Sequence, residues 1–440
     1  MTLETTTDAE LVTKLRAHPE LKQQIYSLVL AIENETGDLT QADTAELQII
    51  EQMRQMGKTS LTAWANHQLE KETNVLLEPK RVCKDGKKLC WHTTFGEISI
   101  NEQQLREGTR RIRPFVASAK VHHRGTSRPL QRAIVDFGAD VSFAQAMDKL
   151  VEHYGVLLSE SVIRRVTQRH ARQMHERFEP QTNWPEQAGC DCVIVEMDGG
   201  MVPIVEPDEK QKDQRKGKQL YWKEAKIGLS HQQGSLTMAY GGTLQGNVDQ
   251  AGEALFDCAC QVGFGQQTVV HAVGDGAPWI ADQIDKRFGT QGSYLIDFYH
   301  LCEYLSAAAK AIYSGDEASS AWLERYKQHL KQGDVDTVLK ALAPYVEAED
   351  VDDTIAPVRS CYRYLSNRLD QLDYPSAVEQ ELPIGSGEIE SAHRYVVQQR
   401  LKRSGAWWRK DNAEYMLALR LNRANRQWKG YWDAEMKEAA

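Results

Sequence analysis

The sequence has no apolar run approaching the roughly 18 residues that a membrane-spanning helix requires. Its N-terminus, Met1 to Glu10, is acidic and rich in threonine, without the basic and then apolar pattern of a secretory signal. The eight cysteines among 440 residues are too sparse and irregular for a disulfide framework. We therefore expect a cytoplasmic protein without a membrane partner.

Cysteine pairs with the spacing of a structural zinc site are also lacking. Cys83 and Cys90 flank a turn-like KDGKKL segment, but no matching second pair follows. A zinc ribbon would need His122 or His123 from far along the chain. This pattern is a weak indication of zinc.

Positive net charge is absent as well, since the formal net charge is −9. The distribution of charge is nevertheless uneven. Residues 394–429 carry ten Lys and Arg against two acids, and residues 102–132 carry eight against two. Concentrated Lys and Arg are what phosphate binding requires, so these two stretches indicate a nucleic-acid partner, although solvated helix faces have the same composition.

The first part of the chain reads as helices followed by short strands. Helical spacing of apolar residues covers residues 8–75, and strand-like runs follow at Lys88–Thr94 and Gly96–Ile100. Phe143–Tyr154 is predicted to be an amphipathic helix ended by Gly155, with a second helix beginning near Ser159 or Ser161. This outline is that of a helix-turn-helix, whose recognition helix would carry four arginines. They are Arg164, Arg165, Arg169 and Arg172.

From residue 189 the pattern changes to strands alternating with helices. Strands are predicted at Cys192–Met197, Ala225–Ser230, Leu236–Thr243, Val269–Val273 and Ser293–Ile296, and helices at Asp249–Val262 and Pro278–Arg287. The order resembles that of the ribonuclease-H-like fold. No strand signal occurs from Leu301 to about Gln380, which predicts an all-helical insertion, and a long helix is predicted from Glu388 through Arg403.

The expected fold class is therefore α/β and multidomain, with a ribonuclease-H-like core of a mixed sheet flanked by helices. The predicted regions are a helical N-terminal module (1–75), a small basic mixed or β element (76–135), a helix-turn-helix-like DNA-binding region (136–185), the first part of the core (186–300), the helical insertion (301–380), and the last part of the core with a basic tail (381–432).

Three carboxylates are placed for metal chemistry. Asp198 follows an apolar strand and precedes Gly-Gly, and Asp275 ends a second strand 77 residues later. Glu390 lies 115 residues further on, in the first turn of a helix. Convergent carboxylates suit Mg²⁺, which prefers oxygen ligands. Each residue also has an ordinary interpretation as a turn, cap or first-turn acid, and spacing does not choose between Glu388 and Glu390.

These blocks resemble a known family. The segment IGSGEIESAH at residues 384–393, followed by RLKR at 400–403 and by Trp407 and Trp408, resembles the C-terminal block of bacterial insertion-sequence DDE transposases. The resemblance is to the ISKra type, related to Mutator-like elements. MDGG at 197–200 and GDGAPWI at 274–280 resemble the first and second aspartate blocks. A further family feature, Asp followed three residues later by His, matches DFYH at 297–300.

The resemblance implies a transposase of an insertion sequence. It would bind terminal inverted repeats, cut DNA hydrolytically with two Mg²⁺ or Mn²⁺ ions held by Asp198, Asp275 and Glu390, and join the 3′-hydroxyl ends to target DNA. His300 would assist near the scissile phosphate. The family implies a homodimer or higher oligomer acting at the bacterial nucleoid. Its N-terminal zinc cysteines are reduced here to Cys83 and Cys90, which leaves bound zinc doubtful.

Contacts to double-stranded DNA are expected from basic and aromatic residues in three regions. They are Arg110 and Arg111; Arg164, Arg165 and Arg169; and Arg394, Arg400, Lys402, Arg403, Trp407, Trp408 and Arg409. Trp407 or Trp408 would stack on an unpaired base, although tryptophans at this spacing also occur in cores.

Two other functions fit the same residues. A ribonuclease-H-like nuclease would cut without joining, and a catalytically silent relative would bind DNA as a regulator. Intact carboxylates at 198, 275 and 390 argue against the second. A tyrosine recombinase is disfavoured, because the Arg, His-x-x-Arg and late Tyr set is not spaced as that chemistry requires.

Overall fold

The computed structural model describes residues 7–33, 38–77, 81–107, 109–208 and 217–439, and the side chains of Cys83 and Arg110 lie outside the described ones. The chain forms two compact units, residues 1–167 with 430–440 and residues 168–429. Within the described ranges, no helix is both long and apolar enough to cross a membrane.

The first unit begins with helices and continues into a small sheet. The helices are α1 (Asp8–Ala17), α2 (Pro19–Ile32) and α3 (Ala42–Leu77). The strands are β1 (Arg81–Thr93), β2 (Gly96–Glu107), β3 (Arg110–Ile112) and β4 (Gly125–Thr126), in the order β3-β2-β1-β4. β1 pairs antiparallel with β2 and parallel with β4, which makes this sheet mixed. Its core joins Leu89, Ile98 and Ile100 to Ala65 of α3 and to Phe115.

The helix pair expected after this sheet is present. The helices here are α4 (Pro114–Ala119), α5 (Arg128–Asp140), α6 (Phe143–Tyr154) and α7 (Glu160–Glu176). Ser142 and Gln145 form a capping box at the start of α6, and Gly155 ends it in the left-handed conformation with φ of 64°. The division between the two units falls within α7, so each unit is described separately.

The second unit contains a five-stranded mixed sheet. Its elements are β5 (Cys192–Pro207), β6 (Lys218–Gln232), β7 (Met238–Thr243), α8 (Val248–Gln261), β8 (Val269–Gly274), α9 (Pro278–Phe288) and β9 (Gly292–Ile296). The order is β7-β6-β5-β8-β9, with antiparallel pairs on one side of β5 and parallel pairs on the other. Strands and helices were all expected here, but β5 continues well past Met197, where the prediction ended it.

The two faces of this sheet differ in character. Val193, Val195 and Met197 of β5 pack with residues of α8 and α9 such as Leu255 and Ile280. Successive side chains of a strand point to opposite faces. Ile194, Glu196 and Asp198 therefore lie on the other face, where the site described below is built.

The stretch expected to be all helical has no strand in this continuously described part of the chain. It contains α10 (Phe298–Ile312), α11 (Asp316–Lys331), α12 (Val335–Leu342), α13 (Pro357–Ser366) and α14 (Tyr374–Glu379). These helices share a core of their own with the end of β9, in which Leu301, Leu305, Leu342 and Leu365 are fully buried.

The predicted long helix is continuous but not uniform. It consists of α15 (Gly387–Ala392), a π-helical turn (His393–Gln398) and α16 (Gln399–Leu401). π-helical turns occur frequently at functional sites. Two further helices follow, α17 (Lys410–Ala424) and α18 (Trp428–Ala439).

Candidate active site

Asp198 and Asp275 lie level with each other on neighbouring strands. β5 and β8 are parallel, and the last paired residues are Glu196 and Val273. Two residues further along each chain come Asp198 and Asp275, at the point where β8 stops and β5 continues. The sequence predicted that the strand before Asp198 ends near this residue. In the structure that strand, β5, continues past Asp198, and its neighbour β8 ends there.

Each aspartate is tied to the backbone beside it through one oxygen. Asp198 Oδ1 accepts a hydrogen bond of 2.6 Å from the Gly199 amide, and Asp275 Oδ1 accepts one of 2.9 Å from the Ala277 amide. Asp275 is not the cap of α9, because Ala277 occupies the N-cap position and no side chain caps this helix; the contact with the Ala277 amide belongs to the turn before it. No intramolecular hydrogen bond is described for either Oδ2, so neither backbone contact prevents a ligand role.

The loop that carries Asp275 is fixed from the helical insertion. The Tyr364 hydroxyl donates to the Asp275 carbonyl at 2.7 Å, and Arg368 Nε donates to the Gly276 carbonyl at 3.1 Å. Gly276 has φ of +82°, and a Cβ there would lie 2.4 Å from the Tyr364 hydroxyl oxygen. Only glycine suits this position.

α15 packs across the face of β5 that carries Glu196 and Asp198. The Ile389 amide donates to Glu196 Oε2 at 2.7 Å, and His393 Nε2 lies 3.4 Å from Asp198 Oδ2. Glu390, between these two contacts, is exposed. Glu388 is engaged differently, because its Oε2 lies 2.7 Å from Nε2 of the buried His231 on β6.

Burial, with a smaller contribution from neighbouring acids, raises the pKa of Glu196 and of Asp198 on this face. Burial, more than any other cause, raises the pKa of Asp198 above its usual value, and the negative charges of Asp275 and Glu224 add to it, whereas His393 acts in the opposite direction. Burial likewise raises the pKa of Glu196 to about 8, although the Ile389 amide opposes that shift. Burial on this face therefore disfavours the charged forms of Glu196 and Asp198.

His300 lies in the first turn of α10, close to the Asp275 loop. Its ring centroid is 6.4 Å from that of Tyr364, the residue that bonds to the Asp275 carbonyl. His300 Nδ1 is 3.7 Å from Glu303 Oε2, and the side chain is partly exposed. The capping role at the start of this helix belongs to Asp297.

The three predicted metal ligands are not gathered into a finished site. Among the residues that the structure describes, no group of three His, Cys, Asp or Glu side chains stands close enough to hold a metal ion. Asp198 and Asp275 adjoin each other, while the Glu390 side chain points to solvent from the neighbouring helix.

The predicted DNA-binding residues fall into exposed and buried sets. The exposed ones are Arg111, Arg164, Arg165 and Arg169 in the N-terminal half, and Arg394, Lys402, Trp407 and Arg409 near the C-terminus; Arg403 is half-buried. The predicted DNA contacts are corrected for Arg400 and Trp408, because both side chains are buried. The Arg400 guanidinium lies 4.8 Å from the Trp408 ring centroid. Trp408 Nε1 donates to the Leu401 carbonyl, which fixes it inside the unit.

Sequence reasoning missed an exposed tryptophan beside Trp407. β5 and β6 extend past Asp198 as a hairpin, and the Trp408 segment runs beside β5 through two backbone hydrogen bonds. On this extension the rings of Trp222 and Trp407 lie 6.2 Å apart, and both are exposed. Trp222 stands 185 residues before Trp407, so no local pattern links the two.

Residues 264–438 match the family model of an uncharacterised protein family, UPF0236. The matched region includes Asp275, His300 and Glu390, but it begins after Asp198 and covers less than half of the chain. No curated protein matches the sequence.

Proposed function

We propose that this protein is a DDE transposase of a bacterial insertion sequence, which cuts DNA at the element's ends and joins the 3′-hydroxyl ends to target DNA. The observation that carries this proposal is that Asp198 and Asp275 lie side by side on one face of a mixed sheet, with Glu390 on the helix that packs on that face. Asp198 and Asp275 adjoin each other on parallel strands, and Glu390 follows on the helix that covers them.

The topology supports the same proposal. An order in which three antiparallel strands lie on one side and two parallel strands are added on the other is the arrangement of ribonuclease-H-like cores. The carboxylates stand on the central strand, after its parallel neighbour, and on a helix beyond the insertion. These are the three places in which the family has its catalytic residues.

The donor chemistry fits Mg²⁺ or Mn²⁺. Hard divalent cations prefer carboxylate oxygens, and the backbone hydrogen bonds of Asp198 and Asp275 use only Oδ1 of each side chain. Asp198, Asp275 and Glu390 would hold the ions, whose chemistry is to activate the attacking oxygen and to stabilise the leaving oxygen.

The surrounding residues would orient these ligands and the DNA. His393 lies against Asp198 and Tyr364 holds the Asp275 loop, so both aspartates keep their places before DNA arrives. Lys402 and Arg409 are exposed for phosphate contacts near Trp407 and Trp222, and exposed indoles beside cations suit the stacking of unpaired bases.

The test is cleavage and strand transfer on a labelled duplex that carries the element's own end repeats, with Mg²⁺ or Mn²⁺. We expect the wild type to cut and join, and Asp198→Asn or Asp275→Asn to lose both activities by about 10²-fold or more, since a metal ion supplies several kcal/mol. The exposed Asp282→Asn is the control and should act as the wild type.

Each of the other outcomes would indicate a different function for this protein. A wild type that cuts but never joins is a nuclease. A wild type that binds the ends but neither cuts nor joins them with either metal is a DNA-binding regulator, and the proposal fails.

A further inference from the structure

The carboxylate of Asp297 binds both ends of the helical insertion. Asp297 follows β9 directly and is only 4% exposed. Its Oδ1 accepts hydrogen bonds from the Tyr299 and His300 amides at 2.6 and 3.0 Å, which caps the first helix of the insertion. Its Oδ2 accepts from the Ser386 amide at 2.6 Å and from the Ser386 hydroxyl at 2.5 Å, where the chain leaves the insertion.

The contacts around this carboxylate bring the two ends of the insertion together. The Phe298 amide donates to the Ile384 carbonyl at 2.8 Å, and Gly385 packs so closely that a Cβ there would lie 2.7 Å from the Tyr299 ring. The helical insertion, about ninety residues long, therefore starts and finishes beside the buried Asp297 side chain.

Ser386 is also the residue from which the glutamate helix starts. α15 begins at the next residue, and the Glu390 amide lies 3.5 Å from the Ser386 carbonyl. One residue before Glu390, the Ile389 amide is held by Glu196 of the central strand. The first turn of this helix is therefore fixed at two points, by Asp297 after β9 and by Glu196 on β5.

The hydrogen bonds of Asp297 argue against a direct role in catalysis. An ionised carboxylate has about four lone-pair sites, and Asp297 accepts from four donors, each through a short contact. No lone pair is left for a metal ion or for a proton of the substrate.

We infer that Asp297 is a positioning residue, which sets Glu390 relative to Asp198 and Asp275 by binding Ser386 while it caps α10. This inference rests on the proposed function, in which those three carboxylates are the metal ligands. In this role Asp297 orders the backbone at the start of α10, whereas the partly exposed His300 side chain takes no part in these contacts.

Two variants separate positioning from general structure. Asp297→Asn keeps the size of the side chain but has a single acceptor oxygen, so it can accept from the α10 amides or from Ser386, but not from both. Ser386→Ala removes only the hydroxyl contact and leaves the backbone contact. The control is Asp373→Asn, since Asp373 caps α14 within the insertion, accepts from the Ser376 amide at 3.2 Å and has no described contact with Ser386.

The measurements are Mn²⁺ affinity by titration calorimetry in full-length protein, affinity for end DNA without metal, the melting temperature, and the rate of cleavage at saturating Mn²⁺. We expect Asp297→Asn to weaken Mn²⁺ binding by about 10- to 100-fold, as loss of an outer-shell partner does. Ser386→Ala should weaken it less, and both should bind end DNA as the wild type. Asp373→Asn should match the wild type in Mn²⁺ affinity.

Equal Mn²⁺ affinity and equal cleavage rate in wild type, Asp297→Asn and Ser386→Ala would overturn the inference, as would a lower melting temperature without a change in either value. If Asp297→Asn does not fold, Ser386→Ala decides alone. A wild type that cleaves DNA while both variants match it refutes only the positioning role. A wild type that neither binds Mn²⁺ nor cleaves refutes the proposed function, and the positioning role with it.

Discussion

His393 Nε2 lies 3.4 Å from Asp198 Oδ2, and the imidazole is almost completely buried. His393 belongs to the same helical stretch as Glu390 and follows it by three residues, so the two are neighbours on that stretch. The helix that carries the third carboxylate is thereby joined to the first. A buried imidazole beside a carboxylate restricts the rotamers of both, which keeps Asp198 oriented.

The space for this imidazole depends on Gly200. A Cβ on Gly200 would lie 2.7 Å from His393 Nδ1, and the buried ring has no room to move away. We expect Gly200→Ala to lower the free energy of unfolding by about 1–3 kcal/mol, as overpacking does, and to reduce cleavage. Chemical denaturation measures the first effect.

The matched control for that prediction is Gly430→Ala. Gly430 lies in α18 with nothing within 4 Å of the point that a Cβ would occupy, so alanine should be neutral or stabilise the helix by up to about 1 kcal/mol. A Gly200→Ala protein as stable as the wild type would contradict the close packing of His393.

The free energy of unfolding should depend on pH through the titration of Glu196. Its pKa is raised to about 8, chiefly by burial, from an ordinary value near 4.5. Between these values the folded protein retains a proton that the unfolded chain releases. Stability from this group is therefore full below about pH 4.5 and is lost as the pH rises towards 8, by up to about 1.4 kcal/mol per pH unit.

Glu196→Gln removes this titration while its amide oxygen can still accept from the Ile389 amide. In metal-free buffer, we expect the variant to gain stability relative to the wild type as the pH rises from 5 to 8. Urea unfolding at a series of pH values measures the difference. The exposed Glu349→Gln should leave the profile of the wild type unchanged, and a constant difference for Glu196→Gln would show that Glu196 is ionised throughout.

Much of the sheet could be predicted because its signals are local. The apolar run before Asp198 and the Val269–Val273 run are continuous, as buried strands are, and the structure has strands at both. The part of β5 beyond Asp198 was missed, because two glycines interrupt the run and its pairing partner β6 comes from residues further along the chain.

The site was harder to predict, because its contacts are distant in sequence. Asp297 and Ser386 are 89 residues apart, and Glu196 and Ile389 are 193 apart. Arg400 was expected to contact DNA, as part of the basic RLKR segment. It is buried because its guanidinium packs on Trp408, and basic side chains with long apolar stems can be covered in this way.

The spacing of the sequence does not decide whether Glu388 or Glu390 is the third metal ligand, but an experiment can. Glu388 contacts His231, whereas Glu390 is exposed and lies between Ile389, which binds Glu196, and His393, which lies against Asp198. We expect Glu390→Gln to reduce DNA cleavage by about 10²-fold or more, since it removes a metal ligand. Glu388→Gln should retain cleavage within about tenfold, because it alters only the contact with His231 and removes no metal ligand.

Single-turnover cleavage of end DNA measures both variants, and DNA affinity serves as the control because neither residue should contribute to it. The reverse order, with Glu388→Gln inactive and Glu390→Gln active, would move the third ligand to Glu388 and away from the resemblance.

The surface around Trp407 should bind DNA through two separable contributions. Lys402 and Arg409 are exposed and lie five residues before and two after Trp407 in the sequence, and each phosphate contact contributes about 0.9 to the slope of log affinity against log salt. We expect the double variant Lys402→Ala/Arg409→Ala to lower that slope by up to about 2. Trp222→Ala should leave the slope unchanged and weaken binding only to ends that contain unpaired bases, by about 1–3 kcal/mol.

Fluorescence anisotropy over a range of salt concentrations, on fully paired and on frayed end duplexes, separates these contributions. The control is Lys310→Ala, an exposed lysine of the helical insertion that should change neither value. Equal loss by Trp222→Ala on both duplexes would assign Trp222 to duplex binding. No loss on either would indicate that the exposed indole pair binds something other than DNA bases, and the stacking role would be withdrawn.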